Sequence, residues 1–289
     1  MHGTGVPLAT PFTDEGAVDH DALASLTTWF EDGGIDFFVP CGSTGEAPLL
    51  SVEERTTVVE TVAAATEKPV LAGTGHEGFE TTLEATEHAA AVGADAALVI
   101  TPSYYGSDDA ALGRYYRELA DASPIPIYCY SVPKFTDHAL SPRTVESLAT
   151  HENVAGIKDS SGSLESIQRL VRFAAGEDFS VLVGNGSVYA AALDAGTTGG
   201  VLALANAVPE RVATVFERHQ RGDDDGARSL NADLVELNRA ITARYGVPGV
   251  KAALSLRGQT VGAPRRPLEP VSDDVVAELE ALLSAVLEA

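Results

Sequence analysis

Short apolar runs recur along the chain with helix-length segments between them. They are GVPLATPF at 5–12, DFFVPCG at 36–42, PVLAGTG at 69–75, AALVITP at 96–102, PIYCYSV at 126–132, VAGIKDS at 154–160, FSVLVGN at 179–185 and GGVLALAN at 199–206. Each is apolar at consecutive rather than alternate positions, as parallel strands covered by helices must be, because neither strand face meets water. The intervening segments, such as 21–32, 51–67 and 80–92, are amphipathic and alanine-rich, and several are followed by glycine before the next run. Eight βα units in 289 residues predict an α/β fold, a (β/α)8 (TIM) barrel over 1–208. An open doubly wound sheet with an added helical segment also satisfies the periodicity. Beyond the eighth run the pattern is helical only, punctuated by Gly246, Pro248 and Pro264, which predicts a C-terminal helical extension over 209–289 packed on the barrel as part of one structural unit.

Composition narrows the partners. Nineteen basic residues against 42 acidic ones leave a formal net charge of −23, which excludes the clustered cations that a nucleic-acid partner requires. Only four residues are lysines (Lys68, Lys134, Lys158, Lys251), and a carboxylate-rich, lysine-poor surface is expected of a halophilic protein. The start, MHGTGVPLATPF, has no basic segment leading into an apolar core, and no apolar stretch approaches the roughly 20 residues of a membrane helix, so a cytoplasmic protein with no membrane partner is expected. Cys41 and Cys129 lie inside apolar runs without metal or redox spacing and read as buried thiols. The seven histidines form no H-x-x-x-H or H-E-x-x-H pair, so no metal site is expected, and His76 reads as a loop or pocket-rim residue.

A barrel of this kind carries its active site at the carboxyl ends of the strands, so the polar residues closing each run are the candidates. Lys158 follows Val154-Ala155-Gly156-Ile157 in a chain that otherwise avoids lysine. A lysine held in an apolar barrel mouth loses the water that stabilises its ammonium form and can present a free amine to a carbonyl. An isolated strand-end lysine more commonly snorkels to solvent or pairs with an acid such as Asp159; the surrounding candidates favour the reactive reading. Tyr130 closes the preceding run, where its phenol can face the same cavity and carry protons. Ser43 and Thr44, in a glycine-bounded turn, offer hydroxyls and backbone amides to a carboxylate, although such a turn can equally serve to start the following helix.

At these residues the sequence resembles the dihydrodipicolinate synthase and N-acetylneuraminate lyase superfamily of class I, pyruvate-dependent aldolases. The resemblance covers almost the whole chain through GVPLATPF, GSTGE at 42–46, TPSYY at 101–105, YSVP at 130–133, GIKDS at 156–160 and GGVLALAN at 199–206. It implies a Schiff base between Lys158 and a 2-oxo acid such as pyruvate, with Tyr130 and Thr44 moving protons and Ser43 and Thr44 binding the pyruvyl carboxylate. Ser160, Gly184 and Leu202, in the sixth to eighth runs, are the further substrate-binding candidates, and Tyr104 is expected to complete a neighbouring subunit's site. No metal or organic cofactor is implied; the partners implied are a small 2-oxo acid, an aldehyde and other copies of the chain, in a homo-oligomer expected to be a tetramer.

Departures from the pattern bear on the aldehyde. The lysine-pathway synthase has an arginine two residues after the proline of its YNVP-like motif, and this chain has Phe135 there. The adjacent Lys134 is expected to point elsewhere and lacks a guanidinium fork. Ser160 and Ser161 place small hydroxyls where a polyhydroxylated chain can bond. The tail LNRAITARYGVPGVKAALSLRG at 237–258 looks like the 4-hydroxy-2-oxoglutarate aldolase branch. The favoured expectation is cleavage or formation of a 2-keto-3-deoxy sugar acid such as 2-keto-3-deoxygluconate; 4-hydroxy-2-oxoglutarate aldolase and 4-hydroxy-tetrahydrodipicolinate synthase are the alternatives. A remote rival is an NAD-dependent dehydrogenase, suggested by G-x-G-x-x-G at 73–78 with Asp95 beyond it, but this motif falls in the third unit rather than the first.

Overall fold

The computed structural model describes residues 1–288. Eight short parallel strands form one sheet: β1 (Gly3–Val6), β2 (Phe37–Phe38), β3 (Leu71–Gly73), β4 (Ala96–Ile100), β5 (Ile127–Ser131), β6 (Val154–Asp159), β7 (Ser180–Val183) and β8 (Gly199–Val201). Their order is β2-β1-β8-β7-β6-β5-β4-β3, and a parallel bridge between Phe38 and Val70, with Phe38 N–H donating to Pro69 O at 2.9 Å, joins the two edges into a barrel. The closed barrel is therefore the architecture, and the open-sheet alternative falls away.

Helices α1 (His20–Asp32), α2 (Val52–Ala65), α3 (Phe79–Ala91) and α4 (Asp109–Ala122) follow the first four strands. A short turn of helix, α5 (Pro133–Thr136), precedes α6 (Pro142–Ala149), and α7 (Leu164–Phe173), α8 (Tyr189–Asp194) and α9 (Pro209–Gln220) follow the last three strands. The chain then forms α10 (Asp224–Arg239), α11 (Gly246–Leu256) and α12 (Asp273–Glu288). Helix starts sit where side chains can replace the missing intrahelical acceptors: the Asp19 carboxylate accepts from Ala22 N–H, and Ser51 with Glu54 forms a reciprocal capping box on α2. No described helix is long and apolar enough to cross a membrane.

Two packed layers follow from the strands' alternation. Phe37, Leu71, Leu98, Tyr128, Tyr130 and Leu182 fill the barrel interior, while Phe38, Ala97, Val99, Cys129, Ile157 and Val181 pack outward under the helices. Both thiols are buried, and burial pushes Cys41 up to about 12 and Cys129 well up as well, so neither is poised for reaction.

The strands are shorter than the apolar runs that announced them. GVPLATPF contributes only Gly5 and Val6 to β1; Pro7 has no N–H for the ladder, and the rest of the run crosses the barrel mouth as irregular buried chain, with Ala9 N–H on Asn206 Oδ1 at 3.0 Å. GGVLALAN likewise leaves the strand after Val201 and turns into a 3-10 segment, Ala203–Asn206. Apolarity reported burial there, and a buried turn is as apolar as a buried strand.

Candidate active site

A cavity of about 300 Å³ opens at the carboxyl ends of the strands. Tyr130 and Lys158 are register partners on β5 and β6, so both side chains leave the same face of the sheet and point inward. They are 5% and 4% exposed, and Lys158 Nζ lies 4.3 Å from the centroid of the Tyr130 ring. Ser43 and Thr44 line the same cavity from the turn after β2, which stands four strands from β6 in the eight-strand ring and hence on the facing wall. A hydroxyl-bearing turn thus faces a sequestered amine across the cavity.

Ser160 and Gly184 also line it, and each explains the other. A Cβ on Gly184 would fall on the Ser160 hydroxyl and lie 3.1 Å from Lys158 Cε. Glycine at 184 is therefore what lets β7 approach Ser160 and Lys158. Asp159, on the same strand but pointing outward, is buried and does not pair with Lys158. Its carboxylate accepts from the Ser161 N–H at 2.8 Å and the Ser166 hydroxyl at 2.9 Å, fixing the loop that follows.

Two sequence expectations are corrected. Leu202 is fully buried in the helix-side core, while its neighbours Val201 and Ala203 line the cavity; one step along an extended segment reverses the side that a side chain faces. Lys134, expected to point elsewhere, lines the cavity beside Phe135, because the chain after Pro133 coils into α5 instead of continuing extended; its Nζ donates to Thr242 O at 3.2 Å. His76 lies in the loop between β3 and α3, as expected, away from this cavity and half-buried against Arg55, whose guanidinium Nη1 lies 3.0 Å from its Nε2; burial first, and that cation second, lower its pKa to about 4.

Tyr104 stands outside the cavity of its own chain. Its ring is 79% exposed and packs edge-on against Tyr105, while the Glu77 carboxylate holds the loop through the N–H groups of Ser103 and Tyr104. The glycines of the G-x-G-x-x-G stretch serve packing: a Cβ at Gly73 would strike Cys41 O, and one at Gly75 would lie 2.6 Å from Ile100 N. The turn after β2 and strand β4, not a pyrophosphate, occupy the space that Gly73 and Gly75 leave, so the dehydrogenase reading loses its motif.

The strand-end survey missed the outer wall. Asn238, Ile241, Thr242, Ala243, Gly246, Val247 and Val250 line the cavity from the C-terminal helices, where α10 passes into a π-helical turn (Ala240–Arg244). Such turns widen a helix and are frequent at functional sites. Asn185, next to Gly184, closes the inner rim and was accessible to the same strand-end reasoning. Among the lining residues the only ionisable acids or bases besides Tyr130 are Lys134 and Lys158, so none of the many carboxylates of this acidic protein lines the cavity. Among the described residues one group, Asp194, His219 and Asp224, has metal-ligand proximity; it lies among the helices away from the cavity, and Arg228 already pairs with Asp194 at 2.8 Å.

A (β/α)8 barrel with a secluded lysine against a strand-end tyrosine, facing a hydroxyl-rich turn, defines the class: a pyruvate-dependent class I carbon–carbon lyase. The chain belongs to the Dihydrodipicolinate synthetase family, whose model matches residues 1–286. It is 38% identical over 284 residues to a 4-hydroxy-tetrahydrodipicolinate synthase of Methanothrix thermoacetophila, covering 98% of this chain and 96% of that one. It is also 38% identical over 286 residues to an uncharacterised DapA-like lyase of Halobacterium salinarum, covering 98% and 93%. Among solved structures, a dihydrodipicolinate synthase from Acinetobacter baumannii complexed with pyruvate superposes with a TM-score of 0.94 at 30% identity, covering 99% of this chain and 98% of that one.

Proposed function

We propose that Lys158 forms an imine with the ketone of pyruvate and that the resulting enamine makes, or in reverse releases, a carbon–carbon bond to an aldehyde. The observation that carries this is Lys158 Nζ held 4.3 Å over the Tyr130 ring inside the cavity faced by Ser43 and Thr44. The amine attacks the ketone carbon, the carbinolamine loses water to leave an iminium ion, and removal of a methyl proton gives the enamine. The enamine carbon attacks the aldehyde carbon, a proton reaches the new alkoxide, and water returns to free Lys158. Tyr130 and Thr44, which line the same cavity, carry those protons in this reading. The Ser43–Thr44 turn receives the pyruvyl carboxylate through hydroxyls and backbone N–H groups, without a fixed cation.

For the aldehyde, we infer a carboxylate-bearing partner. Lys134 brings to the outer wall the positive charge that Phe135 does not, and a carboxylate is what the 4-hydroxy-tetrahydrodipicolinate synthase substrate, aspartate semialdehyde, would present there. The relatives carrying that name support this reading over the sugar-acid one. Glyoxylate, the aldehyde of a 4-hydroxy-2-oxoglutarate aldolase, meets the same requirement. A 2-keto-3-deoxy sugar acid is the second reading, favoured by Ser160, Ser161 and Asn185 along the cavity and by a lysine in place of a bidentate guanidinium. We further propose a homo-oligomer, because Tyr104 and Tyr105 leave large rings in solvent beside the barrel mouth.

The test is incubation with pyruvate and borohydride, followed by intact mass and peptide mapping. A reduced adduct on Lys158, absent in Lys158→Ala, is expected; no adduct at saturating pyruvate, in low and high salt alike, refutes the Schiff-base reading. Turnover of aspartate semialdehyde, hydroxyoxoglutarate and 2-keto-3-deoxygluconate then assigns the aldehyde.

A further inference from the structure

The turn that carries Ser43 and Thr44 is bounded by two non-glycine residues in the left-handed region, Cys41 (φ 56) and Glu46 (φ 58). Such residues carry a conformational penalty and persist only where their surroundings over-determine them. At Glu46 the surroundings are unusual. Its side chain is fully buried, with Oε1 2.9 Å from Nζ of Lys251, itself 3% exposed, and Oε2 accepting the Arg265 N–H at 2.8 Å. Lys251 Nζ also donates to Ala263 O at 3.2 Å and lies 4.1 Å from the Phe12 ring centroid. The Arg265 guanidinium also lies over that ring, 4.4 Å from its centroid, and forks onto Glu54. One carboxylate, two residues after Thr44, thus collects a helix, the 259–272 strap and the β1–α1 loop.

Stability alone is a poor account of this pair, since a buried ion pair rarely outperforms apolar side chains of the same volume. Nor does Lys251 reach the substrate, because it does not line the cavity. Its helix does: Gly246, Val247 and Val250 of α11 form part of the cavity's outer wall, one residue from Lys251. Inside the turn, Glu46 N–H donates to Ser43 O at 3.3 Å, so a shift of Glu46 moves the Ser43 carbonyl.

We propose that Glu46 and Lys251 are positioning residues: their buried pair sets the Ser43–Thr44 turn at the height where it meets the pyruvate carboxylate, and ties that height to the α11 wall. This rests on the reading of Lys158 as the imine-forming lysine and of the turn as the carboxylate site.

The test compares the unaltered protein with Lys251→Met and with the neutral pair Glu46→Gln/Lys251→Met, which leaves no unpaired buried charge and carries the test where the single variant does not fold. Borohydride trapping as a function of pyruvate concentration gives the half-saturating pyruvate, and the adduct yield at saturation gives the competent fraction. A displaced turn raises half-saturating pyruvate at least about tenfold, within the range that a sub-ångström to 1 Å misplacement produces, while saturating pyruvate still labels Lys158 in full. A merely structural role lowers the melting temperature and the competent fraction and leaves half-saturation where it was; that result overturns the proposal. Absence of an adduct in the unaltered protein overturns the functional reading on which it stands, whereas a normal adduct there with unmoved half-saturation in the variants overturns this inference alone.

Discussion

Gly184→Ala puts the site's packing to a quantitative test. Gly184 N–H donates to Asp159 O at 2.7 Å, so the backbone at 184 is pinned to the strand that carries Lys158 and cannot retreat. The new Cβ would overlap the Ser160 hydroxyl, and rotation of that hydroxyl does not relieve the clash because Ser160 Cβ itself would be only 2.9 Å away. Carbon atoms pack best at about 3.5–4.0 Å, so Ser160 must move by roughly 0.6–1.1 Å. Lys158 Cε, at 3.1 Å, must give by a few tenths of an ångström. Overpacking of this size costs about 1–3 kcal/mol, which for a chain this long corresponds to a fall of roughly 2–5 °C in melting temperature. The rate falls as well: a 1 Å misplacement can cost about 100-fold, so a shift of a few tenths of an ångström at Lys158 lowers turnover up to about tenfold. Steady-state kinetics and the borohydride-trapping rate, measured beside a thermal melt, read both quantities. In Gly184→Ala/Ser160→Gly the overlapped side chain is gone, so most of the stability and part of the rate return. Wild-type turnover and melting temperature in the single variant would refute this account of why β7 carries glycine beside the lysine.

Tyr130→Phe keeps the ring under Lys158 and removes the phenolic proton, so kcat should fall about 10²–10⁴-fold while pyruvate KM changes little; an unchanged kcat excludes Tyr130 as proton carrier. Lys134→Met should raise KM for a carboxylate-bearing aldehyde up to about fivefold, the effect of roughly 1 kcal/mol from a solvent-exposed cation, and leave pyruvate KM alone; equal KM values with the charged aldehyde refute a role for Lys134 in its recognition. With a net charge of −23, the fold should gain stability as salt rises and screens self-repulsion, read as a rising melting temperature in a potassium chloride series; halved stability at high salt contradicts the halophilic reading.

The site was legible unevenly, and the unevenness has a physical cause. Lys158, Tyr130 and the Ser43–Thr44 turn could be picked out because each ends an apolar run, and a closed barrel gathers all strand ends at one mouth whatever the register. Gly184 shared that signal. Leu202 did not survive because a run that leaves its strand no longer reports which side a residue faces. Lys251 carried a local signal that was passed over: in a chain with four lysines, one inside the apolar stretch GVPGVKAALSL is as anomalous as Lys158.

What the sequence by itself determined is therefore the repeat of eight buried strands, the position of the barrel mouth within each repeat, and the chemistry offered there, all consequences of burial along a local period. What only the tertiary structure decided is how distant segments meet at that mouth. The π-turned end of α10 and the face of α11 form the outer wall, Lys134 turns in where α5 coils, and Glu46 finds Lys251 and Arg265 some two hundred residues downstream. Hydrophobic periodicity is set by neighbours three or four positions away, whereas those pairings are set by the closure of the whole ring, and no local pattern along the chain encodes which partners that closure brings together.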